Sequence, residues 1–375
     1  MTAFEVMQKH YRQRDIAAKD WKEKDGKVVG YFCDSVPEEL ILAAGFFPLR
    51  ITGKPGGSTE VIDKYLEPFY EDFVRTELNM LLTGDYSFVD YLIIPRTKDS
   101  IVQQYSHLAQ IQSIDPSFKL PTMYLYEFLH TRSYTSEFYN RDRMFDLKKK
   151  LEEWSGKKIT KRALSKVIAI TNENKMLLKK VAELRTADPP RISGVEALQI
   201  IGSSMFMLKE EHNKLLREYL EGADTFLGRG GTRLFVEASP LDTLQFYEIV
   251  ESCNATVVSE DHCWGNRYAE VPIDTSLDPM EAIIKRYYLK SPCPYVYQVG
   301  VRSNYCLQKS LESKAKGVIF NIFNWDPSQI WDYPEQKKAL ETKGIPTLRF
   351  IEQRHLISDI SAIKASIENF ITTIK

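Results

Sequence analysis

The densest run of reactive side chains in this 375-residue chain is Ser259-Glu260-Asp261-His262-Cys263-Trp264-Gly265-Asn266-Arg267-Tyr268. Carboxyl, imidazole, thiol and guanidinium groups at the end of a strand suit acid–base chemistry, metal ligation or contact with another chain, and Glu260 and His262 are the acid–base candidates. A mononuclear zinc site would need two further ligands from elsewhere. The chain has six histidines, and none pairs with a cysteine at a recognised metal spacing. Neighbouring residues on a strand end point to opposite sides, which argues against Cys263 and His262 as a nucleophile pair.

Two further groups of residues stand where α/β proteins place their ligands. Tyr91-Leu-Ile-Ile-Pro-Arg-Thr-Lys98-Asp99 and Gly317-Val-Ile-Phe-Asn-Ile-Phe-Asn-Trp-Asp326-Pro327 are apolar runs that stop at polar residues, and Trp331-Asp-Tyr-Pro334 follows the second. Each reads as a buried parallel strand delivering a loop at its carboxyl end. Near the start, Cys33 follows a strand and stands beside Ser35-Val-Pro-Glu-Glu39, a helix start whose N–H groups can lower a thiol pKa or bind an anion. A small buried filler is the plainer use of Cys33.

These loops need a scaffold, and the pattern predicts one that alternates strand and helix. Residues 1 to 25 read as one amphipathic helix, 27 to 32 as the first strand, and a helix with Ser35 as N-cap runs to Gly45. A second strand spans 47 to 51, a helix about 63 to 82, and strands follow at Tyr91 and at 121 to 126. The glycine-rich stretch 53 to 58 matches no nucleotide fingerprint and reads as a turn. From Asn140 to about Gly222 the sequence is helical and charged, broken at Asp188-Pro-Pro-Arg-Ile-Ser-Gly194. Strands at 233 to 237, 255 to 258, 317 onward and 346 to 350 form a second sheet. The expected fold class is α/β, with two Rossmann-like parallel-sheet domains, 1–139 and 226–375, joined by a helical segment, 140–225.

Composition narrows the function. With 43% hydrophobic and 27% charged residues the chain is long enough for two or three domains, each with its own core. A formal charge of -1 gives no basic field for nucleic acid. No apolar run reaches the roughly 20 residues of a membrane span, and the N-terminus lacks a signal-peptide core, so a cytoplasmic protein is expected. Five cysteines without a Cys-x-x-Cys pair are expected to be free thiols.

Read together, the segment Val29 to Arg50 and the loops ending at Lys98 and Asp326 resemble the benzoyl-CoA reductase and 2-hydroxyacyl-CoA dehydratase family almost end to end. Members hold an iron–sulfur cluster on three cysteines, and the resemblance places Glu71, Lys98 and Asp326 at those positions. An ammonium and two carboxylates do not replace thiolates on cluster iron, so no cofactor is expected in this chain and no metal. If the three side chains converge as the cysteines do, Glu71 and Asp326 flank Lys98 in a partly buried ion cluster. Solvated loop residues are the alternative.

The resemblance implies a heterodimer with a homologous, cluster-bearing subunit that holds a four-iron four-sulfur cluster, an ATP-dependent iron–sulfur activator, and an acyl-CoA substrate. The stretches 189 to 194 and 260 to 267 are more similar to the aromatic acyl-CoA reductase branch than to the dehydratases. Trp264, Tyr268, Tyr287, Tyr288, Tyr295 and Tyr297 can line an apolar slot, with Arg267, Arg286 and Lys290 toward the coenzyme A phosphates, and Cys33 and Ser35 at the substrate or partner face; ordinary interface and core packing of Tyr287, Tyr288 and the segment 291 to 295 is the equal alternative. Three other readings stay open: a subunit of an aryl-lactyl or other 2-hydroxyacyl-CoA dehydratase, a non-catalytic scaffold, and an independent cluster on Cys253, Cys263, Cys293 and Cys306.

Overall fold

The computed structural model describes every residue except Tyr297 and Lys375, and of Val299 the backbone alone. The first part of the chain runs α1 (Ala3–Arg12), α2 (Ile16–Glu23), β1 (Val28–Tyr31), α3 (Glu38–Ala43), β2 (Phe47–Arg50), α4 (Asp72–Thr83), β3 (Tyr91–Pro95), α5 (Asp99–Ile114) and β4 (Thr122–Tyr126). Four helices follow: α6 (Tyr134–Ser155), α7 (Lys161–Thr186), α8 (Gly194–Ser203) and α9 (Lys209–Glu221). The remainder is β5 (Thr232–Ala238), α10 (Gln245–Glu251), β6 (Ala255–Asp261), α11 (Pro279–Leu289), α12 (Val299–Glu312), β7 (Gly317–Phe323), α13 (Pro327–Thr342), β8 (Thr347–Gln353) and α14 (Ile360–Thr373).

Among the described residues the strands form two four-stranded parallel sheets, ordered β2-β1-β3-β4 and β6-β5-β7-β8. The expected α/β class with two parallel sheets is therefore met, and the two orders are the same permutation. In each sheet the connections leave in opposite directions from the central pair, β1/β3 and β5/β7. Such a switch point opens a crevice beyond the carboxyl ends of the strands. Both faces of these strands are covered, so they carry near-continuous apolar runs such as Leu92-Ile-Ile94 and Val318-Ile-Phe320.

The elements differ from the sequence reading in places that bear on the site. The helix expected from 63 to 82 begins only at Asp72, because Pro68 disfavours helical backbone at Glu67, and the Val61 and Ile62 N–H groups bond Asn79 Oδ1 instead. The first 25 residues form two helices, broken where Arg14 turns inward to bond Asp242 at 2.6 Å. Ser35 does not cap α3, whose N-cap is Pro37. Strand β6 extends to Asp261, which draws Glu260 and Asp261 from the expected loop into the sheet. The break at 188 to 193 is as expected, with Ser193 and Glu196 closing a capping box on α8.

In place of a separate core for each domain, the main core is continuous. Tyr11 of α1, Leu49 of β2, Leu178 of α7, Leu198 of α8, and Val236 and Val257 of the second sheet belong to one packed cluster. Among the described residues no helix is long and apolar enough to cross a membrane.

Candidate functional site

Three helices start at one point between the two switch points. Glu71, Lys98 and Asp326 are the residues immediately before α4, α5 and α13. The Lys98 ammonium forms an ion pair with the Glu71 carboxylate and lies 3.7 Å from Asp326 Oδ1. All three are buried, with 2%, 9% and 1% of their surfaces exposed in chain order. Asp326 also accepts from the Ser239 and Ser328 hydroxyls at 2.8 and 2.6 Å. Helix N-termini favour anions and oppose cations, so Glu71 and Asp326 suit their places and Lys98 does not. The carboxylates compensate: burial works against the ammonium, but Asp326 and Glu71 outweigh it and hold Lys98 protonated well above its ordinary range. Burial pushes the Glu71 carboxyl up; Lys98 opposes this and Asp326 adds to it.

The ion cluster stands between two cavities. Lys98, Asp326, Thr97 and Tyr295 line both. The outer one is an open cleft of about 800 Å³ whose rim carries the exposed rings of Phe69, Trp325 and Trp331. The inner one has about 50 Å³ of room and is walled by Cys33, Arg50, Cys263, Trp264, Arg267 and Cys293, among others. It lies where the loops after β1 and β3 meet those after β5 and β7.

Of the residues singled out from the sequence, Cys33, Trp264, Arg267 and Tyr295 do share this inner cavity. Cys33 adopts a left-handed backbone (φ 59°), and its Sγ lies 3.4 Å from Thr97 Oγ1. Burial pushes its thiol up to about 12, which goes with the buried-filler reading of Cys33 and not with the lowering a helix start can give. Ser35 is buried, and its hydroxyl has no hydrogen-bond partner among the described residues.

The other candidates lie elsewhere. Glu260 and His262 are buried against the helical layer: Glu260 pairs with Arg185 of α7, with Oε1 3.0 Å from Nη2, and accepts from the Tyr247 hydroxyl at 3.2 Å. His262 Nδ1 accepts from the Trp264 N–H at 3.2 Å, which leaves its proton on Nε2, 2.8 Å from the Tyr247 hydroxyl. Burial lowers His262 to about 4; Glu260 is held at about 2, where Arg185 overcomes the opposing effect of burial. This is a bridge between α7 and the second sheet, and it faces neither cavity.

The expected coenzyme A slot does not form as a unit. Tyr268 and Tyr287 donate to Glu38 and Glu39 of α3 at 2.7 and 2.8 Å, and Tyr288 bonds the Ser133 carbonyl at 2.9 Å. Arg267 pairs with Asp261 at 3.1 Å, Lys290 with Asp34 at 2.9 Å, and Arg286 bonds the carbonyls of Val271 and Tyr268, each at 3.1 Å. These cations are buried and each is paired or bonded within the protein, although Arg267 Nε has no partner among the described residues, so they do not form a phosphate clamp. Tyr297 lies outside the described residues. The four cysteines considered for an independent cluster are dispersed: Cys263 and Cys293 line the inner cavity, Cys306 is in the core beside β7, and Cys253 follows α10, near Lys364.

Several site residues escaped the sequence reading. Glu38 and Glu39 also pair with Lys209 and Lys175, each at 3.0 Å, and so tie α3 to the helical layer. Arg302, wholly buried, bonds Asp261 and Glu237 at 2.6 Å and Asp332 at 3.2 Å. Arg50 and Glu77 enter the inner cavity from the end of β2 and from α4. The acidic first turn of α3 was the one visible signal, since two adjacent glutamates cannot both face water on a buried helix.

Two facing switch points around a shared cavity define a two-lobed α/β protein of the kind that holds its ligand between parallel sheets. The chain belongs to the family described as 2-hydroxyglutaryl-CoA dehydratase, D-component, which matches residues 33–374. It is 27% identical to one of the subunits of benzoyl-CoA reductase from Thauera aromatica, over 89% of this chain and 88% of that one. It is 25% identical to the (R)-phenyllactyl-CoA dehydratase beta subunit of Clostridium sporogenes, over 95% and 94%. To the (R)-2-hydroxyglutaryl-CoA dehydratase beta subunit of Acidaminococcus fermentans it is 23% identical, over 93% of each. These relatives are subunits of enzymes.

An iron–sulfur cluster requires thiolates, and the donor set at the head of α4, α5 and α13 is two carboxylates and an ammonium. That set does not fit the group. Among the described residues no three His, Cys, Asp or Glu side chains are arranged to hold a metal ion.

Proposed function

We propose that this chain is the cluster-lacking subunit of a benzoyl-CoA reductase-like complex that dearomatises an aromatic acyl-CoA. In this reading its partner is a homologous subunit that bears the iron–sulfur cluster, and an ATP-dependent iron–sulfur activator supplies the electrons. The observation that carries it is the Glu71–Lys98–Asp326 ion cluster, three charged groups at the helix starts that the family resemblance assigns to cysteines. The chain's own part is to complete and wall the substrate region, with segments 1–139 and 226–375 acting as two halves of a clamp around the connecting helices of 140–225. Exposed Phe69, Trp325 and Trp331 around the outer cleft support its use as an apolar interface with the partner. The complex is cytoplasmic in this reading.

A subunit of a 2-hydroxyacyl-CoA dehydratase is the second reading, favoured by the 95% of this chain that aligns with the phenyllactyl-CoA enzyme's beta subunit. Anaerobic purification of the chain with its native associates, followed by mass spectrometry and turnover assays, tests both. A stoichiometric, brown, homologous partner is expected, together with reduction of benzoyl-CoA. Dehydration of an aryl-lactyl-CoA instead would select the second reading, and a colourless homodimer without activity would leave a scaffold.

A further inference from the structure

We propose that the inner cavity is a binding site for a small carboxylate, gripped by the Arg50 guanidinium and facing the Glu77 carboxyl. The ionisable groups of the cavity wall divide into the paired and the unpaired. Lys98 is held by Glu71 and Asp326, Asp34 by Lys290 at 2.9 Å, Arg267 by Asp261 at 3.1 Å, and Asp242 by Arg14 at 2.6 Å. Arg50 and Glu77 are the exceptions. Arg50 is 4% exposed, yet among the described residues no carboxylate lies within ion-pair distance. Its bonds go to the Cys263 carbonyl and Sγ, each at 2.9 Å, and to Met205 Sδ at 3.2 Å, while its Cζ lies over the Trp264 ring, 3.8 Å from the centroid. Sulfur is a weak acceptor, so the guanidinium keeps much of its charge and part of its donor fork uncommitted.

Glu77 is 5% exposed, and among the described residues its side chain has one hydrogen bond, from the Gln104 amide at 3.4 Å. An unpaired buried charge is costly, and a bound anion removes that cost for Arg50. Burial holds Glu77 well above the ordinary carboxylate range, despite the Gln104 bond, so it presents an O–H to an anion instead of repelling it.

The same features set the ligand class. One free guanidinium matches a single negative charge, and its planar fork matches two oxygens in a plane. A phosphate dianion would face Asp34, Asp242 and Asp326 with only one uncommitted cation. Room of about 50 Å³ corresponds to about three to five water molecules, enough for a short acid and far too little for a coenzyme A moiety. Phe32, Ile51, Phe73 and Ile101 supply apolar wall for a hydrocarbon tail. The site belongs to this chain alone, so it stands or fails independently of the partner and reaction proposed above.

The test is calorimetric titration of the full-length chain, freed of carboxylate buffers, with acetate, propionate and butyrate, and with phosphate as the contrasting probe. Saturable one-to-one binding of at least one carboxylate is expected, tighter than phosphate, weakened about tenfold or more in Arg50→Gln and lost in Ile101→Phe, which fills the cavity. No saturable binding of any carboxylate, or binding unchanged in both variants, overturns the assignment. Should either variant fail to fold, bromide-soaked crystals of the unaltered chain decide the matter: an anomalous peak beside the Arg50 guanidinium supports the site, and its absence there refutes it.

Discussion

At the scale of single residues, the charges of the site are buried because other charges hold them. Removing Lys98 alone leaves Glu71 and Asp326 facing each other out of water, and Lys98→Met should cost about 3–5 kcal/mol in denaturant unfolding. Replacing all three by apolar or amide groups of similar size (Glu71→Gln, Lys98→Met, Asp326→Asn) should cost much less, because no unpaired charge remains. A loss of under about 1 kcal/mol in the single variant would show that the three are solvated. His262 makes a pH-dependent contribution. Its folded pKa is about 4 against an ordinary 6.5, so the stability it confers is complete above pH 6.5 and is lost as pH falls toward 4. His262→Gln should flatten the stability profile in that window by about 3 kcal/mol, and urea midpoints between pH 4 and 7 measure it.

The positions of Lys98 and Asp326 were legible because each ends an apolar run. Their convergence with Glu71 was implied only by the family likeness. Arg50 and Glu77 were not legible, because what marks them is the absence of a partner, which a sequence does not display. The buried bonds of Glu39 to Lys175 and of Glu38 to Tyr268 span 136 and 230 residues, beyond any local pattern.

At the scale of elements, apolar runs gave the strands, while the one capping residue read from the sequence, Ser35, does not cap its helix, and the other errors were local competitions. Pro68 and the Asn79 side chain end the helical pattern before Glu71, and that interruption sets Glu71 at the head of α4. The loop expected after β6 became strand, because Glu260 and Asp261 find buried arginines in Arg185 and Arg302. Helix α8 reaches the second sheet through a residue without a side chain: a Cβ on Gly194 would stand 2.6 Å from Val257 Cβ and 2.9 Å from its carbonyl oxygen. Gly194→Ala should therefore lower the thermal midpoint, by the equivalent of about 1–3 kcal/mol, because neither atom is the end of a flexible side chain. An unchanged midpoint would mean that α8 docks more loosely than the structure shows.

At the scale of the whole molecule, two sheets with the same strand order present their switch points to one another, and the helical layer fixes them through a continuous core. The alternation of strand and helix made this architecture readable in advance. The sharing of one core was not, because which apolar faces meet depends on packing between segments far apart in the chain. The geometry keeps the place at which the resemblance puts family thiolates but fills it with an internal salt bridge. The central claim is that this chain binds no cluster of its own. Iron and acid-labile sulfide analysis of the anaerobically purified chain, after separation from every other polypeptide, tests it most directly. Iron and sulfide far below one atom per chain are expected; stoichiometric amounts of both on the isolated chain would contradict the claim.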